Sequence, residues 1–150
     1  MNEKAGAVLS KWGLIPLRIV VGVIFLMHGS QKVFVFGIAG TADILRWVGI
    51  PFPMFFAVVV MTTELLGGLA ILFGLLGRWA ALALAFEMTV AIFTARMNGG
   101  FFTPNGYEFE LSLLGACLTI AAIGTGAVSL DKLLKRPRSD ASAVAPTSRQ

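Results

Sequence analysis

The sequence holds a single cysteine, Cys117, and a single histidine, His28, in 150 residues. One cysteine excludes an intrachain disulfide and a CxxC redox pair. One histidine excludes a haem held by two histidines of the same chain. Together the two residues are too few for a tetrahedral Cys/His zinc site, so no metal centre is expected. Charge is scarce as well. Asp, Glu, Lys and Arg make up 13% of the chain, against about 25% in an average soluble domain. That deficit of polar surface excludes a soluble globular enzyme. Alternation of polar and apolar residues is also missing, and the continuous apolar runs exclude a water-filled β-barrel.

What is present is apolar: 57% of residues are hydrophobic and the mean hydropathy is +0.84. Polar breaks divide the chain into four apolar stretches, each near the roughly 20 residues that span a bilayer. The predicted spans are roughly 14–36, 54–76, 79–95 and 108–123. Between the first two lies a connector, 37–53, broken by Gly37, Gly40, Gly49, Pro51 and Pro53. Its middle, 41–48, reads as a short interfacial helix with Asp43, Arg46 and Trp47. The first span resembles a signal peptide, but it contains Arg18, runs long and lacks a small-residue cleavage site after it, so an uncleaved helix is expected. The fold class is therefore all-α, a polytopic membrane protein with a bundle of four transmembrane helices. Residues 1–13 form a lead-in, 14–131 the membrane domain, and 132–150 a basic tail of disordered composition.

Lys and Arg counts give the orientation. Four spans place the N-terminus, the second connection and the C-terminus on one side. That side carries nine basic residues (Lys4, Lys11, Arg18, Arg78, Lys132, Lys135, Arg136, Arg138, Arg149) against three opposite (Lys32, Arg46, Arg96). The positive side is cytoplasmic, so both termini are expected there. The net charge of +4 lies largely in the tail, where a basic run after an apolar span reads as contact with anionic lipid rather than nucleic acid.

Charges at membrane depth cost several kcal/mol on insertion scales, on the order of 2.5–3.5 per residue, and so require a reason. Glu64 and Glu87 sit near the middle of their spans. On the second helix Ala57, Met61, Glu64 and Gly68 share a face; on the third Ala80, Ala83, Glu87, Ala91 and Thr94 do. Small residues let helices approach closely, so both carboxylates are expected to point into the bundle. Partners come from the first span, where Arg18, Gly22, Phe25, Gly29 and Lys32 fall near one face, with His28 and Gln31 beside it. Glu110 shares a face of the last helix with Leu114 and Cys117. The expected constellation is His28, Gln31, Lys32, Glu64, Glu87 and Glu110, opening outward. The structural alternative is that these groups pair to fix helix register. It weighs less than a functional cavity for Glu64 and Glu87, and about equally for His28, Gln31 and Lys32. Glu108, at a helix start where the dipole favours carboxylates, reads as structural. Cys117 reads as an inert core residue, and Trp12, Trp47 and Trp79 as interfacial anchors.

Across residues 14–131 the chain resembles the DoxX family. The pieces that carry the likeness are Arg18-Ile19-Val20-Val21-Gly22 with Phe25, His28-Gly29-Ser30-Gln31-Lys32, and Gly49-Ile50-Pro51. They continue with Glu64-Leu65-Leu66-Gly67-Gly68, Gly74 with Gly77-Arg78, Gly100-Phe101-Phe102, Gly106-Tyr107-Glu108 and the closing segment from Gly124 to Asp131. The resemblance implies a four-helix protein of the bacterial inner membrane, linked to oxidoreductase assemblies that include a thiosulfate:quinone oxidoreductase. The expected function is the membrane subunit of a quinone- or thiol-linked redox system. Glu64, Glu87 and His28 would relay protons, while His28, Gln31, Lys32 and Glu110 would bind a quinone or small ligand. A soluble oxidoreductase partner is expected, since one cysteine cannot run a dithiol cycle alone; a homo-oligomer is a further expectation. The alternative is a non-enzymatic scaffold or small-solute transport factor with structural charges. The orientation is checked with reporter fusions at Gln150. Green fluorescent protein is expected to fluoresce there and alkaline phosphatase to be inactive; the reverse pattern would invert the topology.

Overall fold

The computed structural model describes residues 12–124. The lead-in lysines, the closing segment beyond Gly124 and the basic tail lie outside the described residues. Among the described residues every regular element is helical. Helix α1, Leu14–Gln31, runs into a π-helical turn, Lys32–Phe36. Helix α2 is Gly37–Trp47 and α3 is Pro53–Phe73. Helix α4, Gly77–Ala91, ends in a second π-helical turn, Ile92–Arg96, and a 3₁₀ turn, Met97–Gly99. Helix α5 is Glu108–Ile123.

Three helical stretches are long and apolar enough to cross a membrane: Leu14–Trp47, Pro53–Phe73 and Gly77–Gly99. The first is not one straight rod. Gly37 adopts φ +66° and ψ 179°, a backbone state that glycine reaches without a Cβ penalty. The chain turns there, and α2 packs back against α3 with Thr41 and Ala42 buried. Helix α5 has 16 residues and packs along α4. Contacts run α1 to α3, α3 to α4 and α4 to α5, with a thinner contact between α1 and α5 closing the ring. A short turn joins α3 to α4, and a loop that follows the 3₁₀ turn Met97–Gly99 brings the chain back into α5, so neighbouring helices alternate in direction.

Polarity is inverted relative to a soluble protein. Met27, Phe55, Leu66, Phe86, Phe93 and Ile123 are exposed, whereas Arg18, Glu64 and Glu110 are buried. A surface of this kind is covered by lipid, and the charged groups sit where lipid cannot reach. Trp12, Trp47 and Trp79 are exposed near helix ends, the positions of interfacial anchors. Five helical hydroxyls are satisfied locally, Thr62, Thr89, Thr94, Ser112 and Thr119 each donating to a carbonyl four residues back, while the buried Thr41 hydroxyl of α2 has no partner.

Glycine sets the tightest contact. A Cβ on Gly29 of α1 would lie 2.6 Å from the Leu65 backbone nitrogen of α3, and one on Gly68 would lie 2.7 Å from that of Leu26. Bare backbone at these positions lets α1 and α3 touch directly. The buried faces match the expected stripes on α1 (Arg18, Gly22, Phe25, Gly29) and α3 (Ala57, Met61, Glu64, Gly68). On α4 the buried face is Ala81, Leu84, Ala85, Met88 and Ile92, with Ala83 and Thr94 exposed. The expected α4 stripe is thus rotated. Leu84 fills the space over Gly67 of α3, so a large side chain seated on a glycine, rather than a row of small ones, makes this contact. Gly29→Ala is expected to destabilise by about 1–3 kcal/mol through overpacking. Gly115→Ala, with open space around its Cβ, should be neutral. Thermal unfolding in detergent, followed by size-exclusion fluorescence, checks both.

Candidate functional site

Two arginines organise one end of the bundle. Helix ends leave their last carbonyls without intrahelical donors, and in lipid no water supplies them. Arg18 of α1 donates from Nε to the Ile71 carbonyl at 3.1 Å and from Nη2 to that of Leu72 at 3.0 Å. It thereby closes the C-terminus of α3, where Gly74 supplies the left-handed cap residue. Arg78, in the first turn of α4, reaches the Ala122 and Ile123 carbonyls of α5 at 3.3 and 3.4 Å. Arg18 is therefore a helix cap and lies outside the carboxylate constellation, although it shares the α1 stripe with Lys32.

The opposite end carries the ion pairs. Lys32 Nζ meets Glu64 Oε2 at 2.5 Å, joining α1 to α3. Arg96 Nε meets Glu110 Oε1 at 2.8 Å, joining the end of α4 to α5. Each cation belongs to a π-helical turn, Lys32 opening one and Arg96 ending the other. An i→i+5 turn widens the helix and re-aims its side chains, a frequent device at functional sites. The Arg96–Glu110 pair is the link sequence periodicity missed, because the segment 97–107 loops back between the two residues. That loop is pinned internally. Arg96 Nη1 donates to the Pro104 carbonyl at 3.1 Å, and Thr103 donates from its backbone and hydroxyl to Glu108 Oε1 at 2.8 and 2.7 Å. Glu108 thus holds the loop, in keeping with its structural reading.

Between these pairs lies a cavity of about 330 Å³, within the size range of small-molecule sites. Its polar wall is His28, Lys32, Glu64, Glu87, Arg96 and Glu110; its apolar wall includes Phe25, Val60, Met88 and Leu113. Ile44, Leu45 and Val48 of α2 form part of the wall, so the turn at Gly37 is what folds this helix over the space. Glu64 and Glu110 are 4% and 8% exposed. Glu87 lies beside the Lys32–Glu64 pair, its carboxyl within reach of that of Glu64. One oxygen each of Glu87 and Glu110, Oε2 in both, is buried with no hydrogen-bond partner.

Five of the six residues singled out from sequence share this cavity: His28, Lys32, Glu64, Glu87 and Glu110. Gln31 does not. It is exposed on a separate shallow groove of α1 with Met27, Ser30, Phe34 and Val35, which His28 also borders. His28 is exposed at the rim, its ring 6.0 Å from that of Phe109. Cys117 is fully buried in the apolar core with Leu113 and Ile120, inaccessible to a thiol reagent or disulfide. No group of three potential metal ligands occurs among the described residues.

A family model described as DoxX matches residues 13–97. Among curated proteins, the chain is 32% identical over 119 residues to "Putative oxidoreductase CatD" of Bacillus subtilis, covering 79% of this chain and 84% of that protein. It is 35% identical over 130 residues to inner membrane protein YqjF of Escherichia coli, covering 83% and 93%. Inner membrane protein YphA of the same organism is 31% identical over 125 residues, covering 79% and 88%. No solved structure matches the chain.

Removing one partner of a buried pair leaves an uncompensated charge, whereas replacing both with apolar groups is near neutral. Lys32→Met is therefore expected to lower stability by about 3–5 kcal/mol, and Lys32→Met/Glu64→Met to recover most of the loss. Unfolding in mixed micelles with increasing denaturing detergent checks the pair.

Proposed function

The chain belongs to the DoxX family of membrane proteins, and on that premise we propose that it is the membrane subunit of a quinone-linked redox system, with the cavity as its ligand site. In this reading α1, α3, α4 and α5 all span the inner membrane and both termini are cytoplasmic, supported by the nine-to-three distribution of Lys and Arg. The cavity then opens toward the outer face. A redox role is supported by the name of the Bacillus subtilis relative, and a soluble partner would supply the chemistry that one buried cysteine cannot.

The observation that carries the reading is the convergence of six ionisable side chains on one largely apolar cavity, two of them with unpartnered carboxyl oxygens. Buried polar groups that serve only structure are for the most part hydrogen-bonded. The fit to a quinone head group rests on volume and on the mixed lining: apolar walls for the ring and polar groups for its oxygens. When bound, a quinone accepts two electrons and two protons to become a quinol. The residues of this chain would do the rest. Phe25, Val60, Met88 and the α2 residues Ile44 and Leu45 exclude water. His28 and Glu110 would supply polar contacts to a head group held there, and Lys32 holds Glu64 in place. Glu87, beside Glu64 but without a cation of its own, is the group placed to take up and return a proton at its carboxyl.

The scaffold alternative is favoured by one feature, the two ion pairs that lock α1 to α3 and α4 to α5. The readings separate by experiment. In membranes, Glu87→Gln and His28→Ala are expected to lower quinone-dependent electron transfer by about a hundredfold at unchanged protein abundance. Loss of abundance and thermal stability with an unchanged rate per molecule would instead identify a scaffold. Mass spectrometry of gently extracted protein adds an independent arm: a stoichiometric quinone is expected, and lipid alone would count against the redox reading.

A further inference from the structure

The cavity is unevenly furnished. Three carboxyl groups, Glu64, Glu87 and Glu110, face two cations, Lys32 and Arg96. Each cation already holds a carboxylate, and Arg96 also holds the Pro104 carbonyl. The buried polar atoms of the wall that lack any partner are both carboxyl oxygens, Oε2 of Glu87 and Oε2 of Glu110. No neighbouring group serves them in this arrangement. The Thr94 hydroxyl of the same wall donates to the Val90 carbonyl of its own helix, and the backbone N–H groups of Glu108 and Leu111 at the start of α5 are taken by the Phe101 and Tyr107 carbonyls. Glu110 is the better defined of the two, because Arg96 fixes its Oε1 and the residue is 8% exposed. His28 at the rim carries one donor and one acceptor nitrogen when neutral, and so favours neither kind of ligand.

A buried acceptor without a donor is destabilising, and a ligand that supplies the donor removes that penalty. A ligand whose head group only accepts hydrogen bonds leaves both oxygens unsatisfied and places its own lone pairs against them. An inorganic cation fits poorly: the wall is mostly apolar, and the carboxyls do not gather into a metal-holding cluster among the described residues. We infer that the cavity selects an apolar molecule whose polar head donates hydrogen bonds, a hydroxyl or an amine on an aromatic or aliphatic body, over the isosteric molecule whose head only accepts. The selection is made by Glu110, with Glu87 as the second acceptor. This rests on the reading of the cavity as a ligand site; for a quinone couple it means that the reduced, hydroxyl-bearing form is the one bound more tightly.

The experiment uses the full chain in lipid nanodiscs and three probes of matched body: 4-butylphenol, its methyl ether 4-butylanisole, and 4-butylbenzylamine. Binding is measured by equilibrium dialysis, with empty nanodiscs subtracted to remove partitioning into lipid. The phenol is expected to bind at least about tenfold more tightly than the ether. Glu110→Gln keeps the shape and replaces one acceptor oxygen by an N–H donor. It should bring the two probes within about twofold or reverse their order, while Glu108→Gln, outside the cavity, keeps the wild-type preference. The wild-type comparison stands alone if Glu110→Gln fails to fold. Either the phenol or the amine binding most tightly supports the donor preference, and which of them does so identifies a hydroxylic or a cationic head. Ether and phenol binding equally, with the amine no tighter, would overturn the donor preference and leave the cavity reading intact. Absence of binding by all three would overturn the cavity reading beneath it.

Discussion

Hydrocarbon neither donates nor accepts hydrogen bonds, and most features of this bundle follow from that constraint. Each charged side chain carried into it must find its counterpart within the protein, and each helix terminus must find donors or acceptors for its free backbone groups. The chain meets both demands with basic residues on α1 and α4. Arg18 and Arg78 serve the carbonyl ends of α3 and α5. Lys32 and Arg96 serve carboxylates on the same two helices. The bundle is thus two antiparallel hairpins, α1 with α3 and α4 with α5, each tied at both ends by a cation from its ascending helix.

Such ties demand close approach, and the sequence supplies it unevenly. Between α1 and α3 glycine faces backbone at Gly22, Gly29 and Gly68, and Lys32 needs little reach to meet a carboxylate near the middle of α3. Between α3 and α4, Leu84 sits over Gly67. The α1–α5 seam is the thinnest of the ring, and there the exposed His28 stands opposite Phe109. Dense packing on the α1–α3 side and a thin seam on the α1–α5 side leave the cavity where they do. The π-helical turns of α1 and α4 add room at the same level, and α2, folded back at Gly37, contributes its apolar face as part of the wall.

Within this frame Glu87 and Glu110 stand apart from the other charged groups. Arg18, Lys32 and Glu64 are explained by the bonds they make. Glu87 and Glu110 each retain a buried oxygen that no neighbour satisfies, a cost shared among the described residues only by the buried Thr41 hydroxyl of α2. That asymmetry is the physical ground for treating the cavity as a site rather than a gap in packing. It also directs attention to the hydrogen-bonding character of the ligand rather than to its shape alone.

Composition and continuous apolar runs were enough to decide that the chain lives in lipid, because a surface with so few charges cannot be solvated. Stripes of glycine and charge also made the inward faces of α1 and α3 legible. Those residues are conspicuous only because the rest of each helix is apolar. The inward face of α4 was not legible. When both lipid and core are apolar, periodicity loses its contrast, and the outward Ala83 looks no different from the inward Ala81. The turn at Gly37 was visible as a breaker, but its left-handed backbone and the return of α2 over the cavity were not. The acceptors of Arg18 and Arg78 were invisible in principle, since they are main-chain carbonyls that any residue would provide. Sequence determined which groups are forbidden to face lipid. Tertiary structure decided which of them meet, because pairing depends on the order of helices around the ring and on how closely glycine lets them approach.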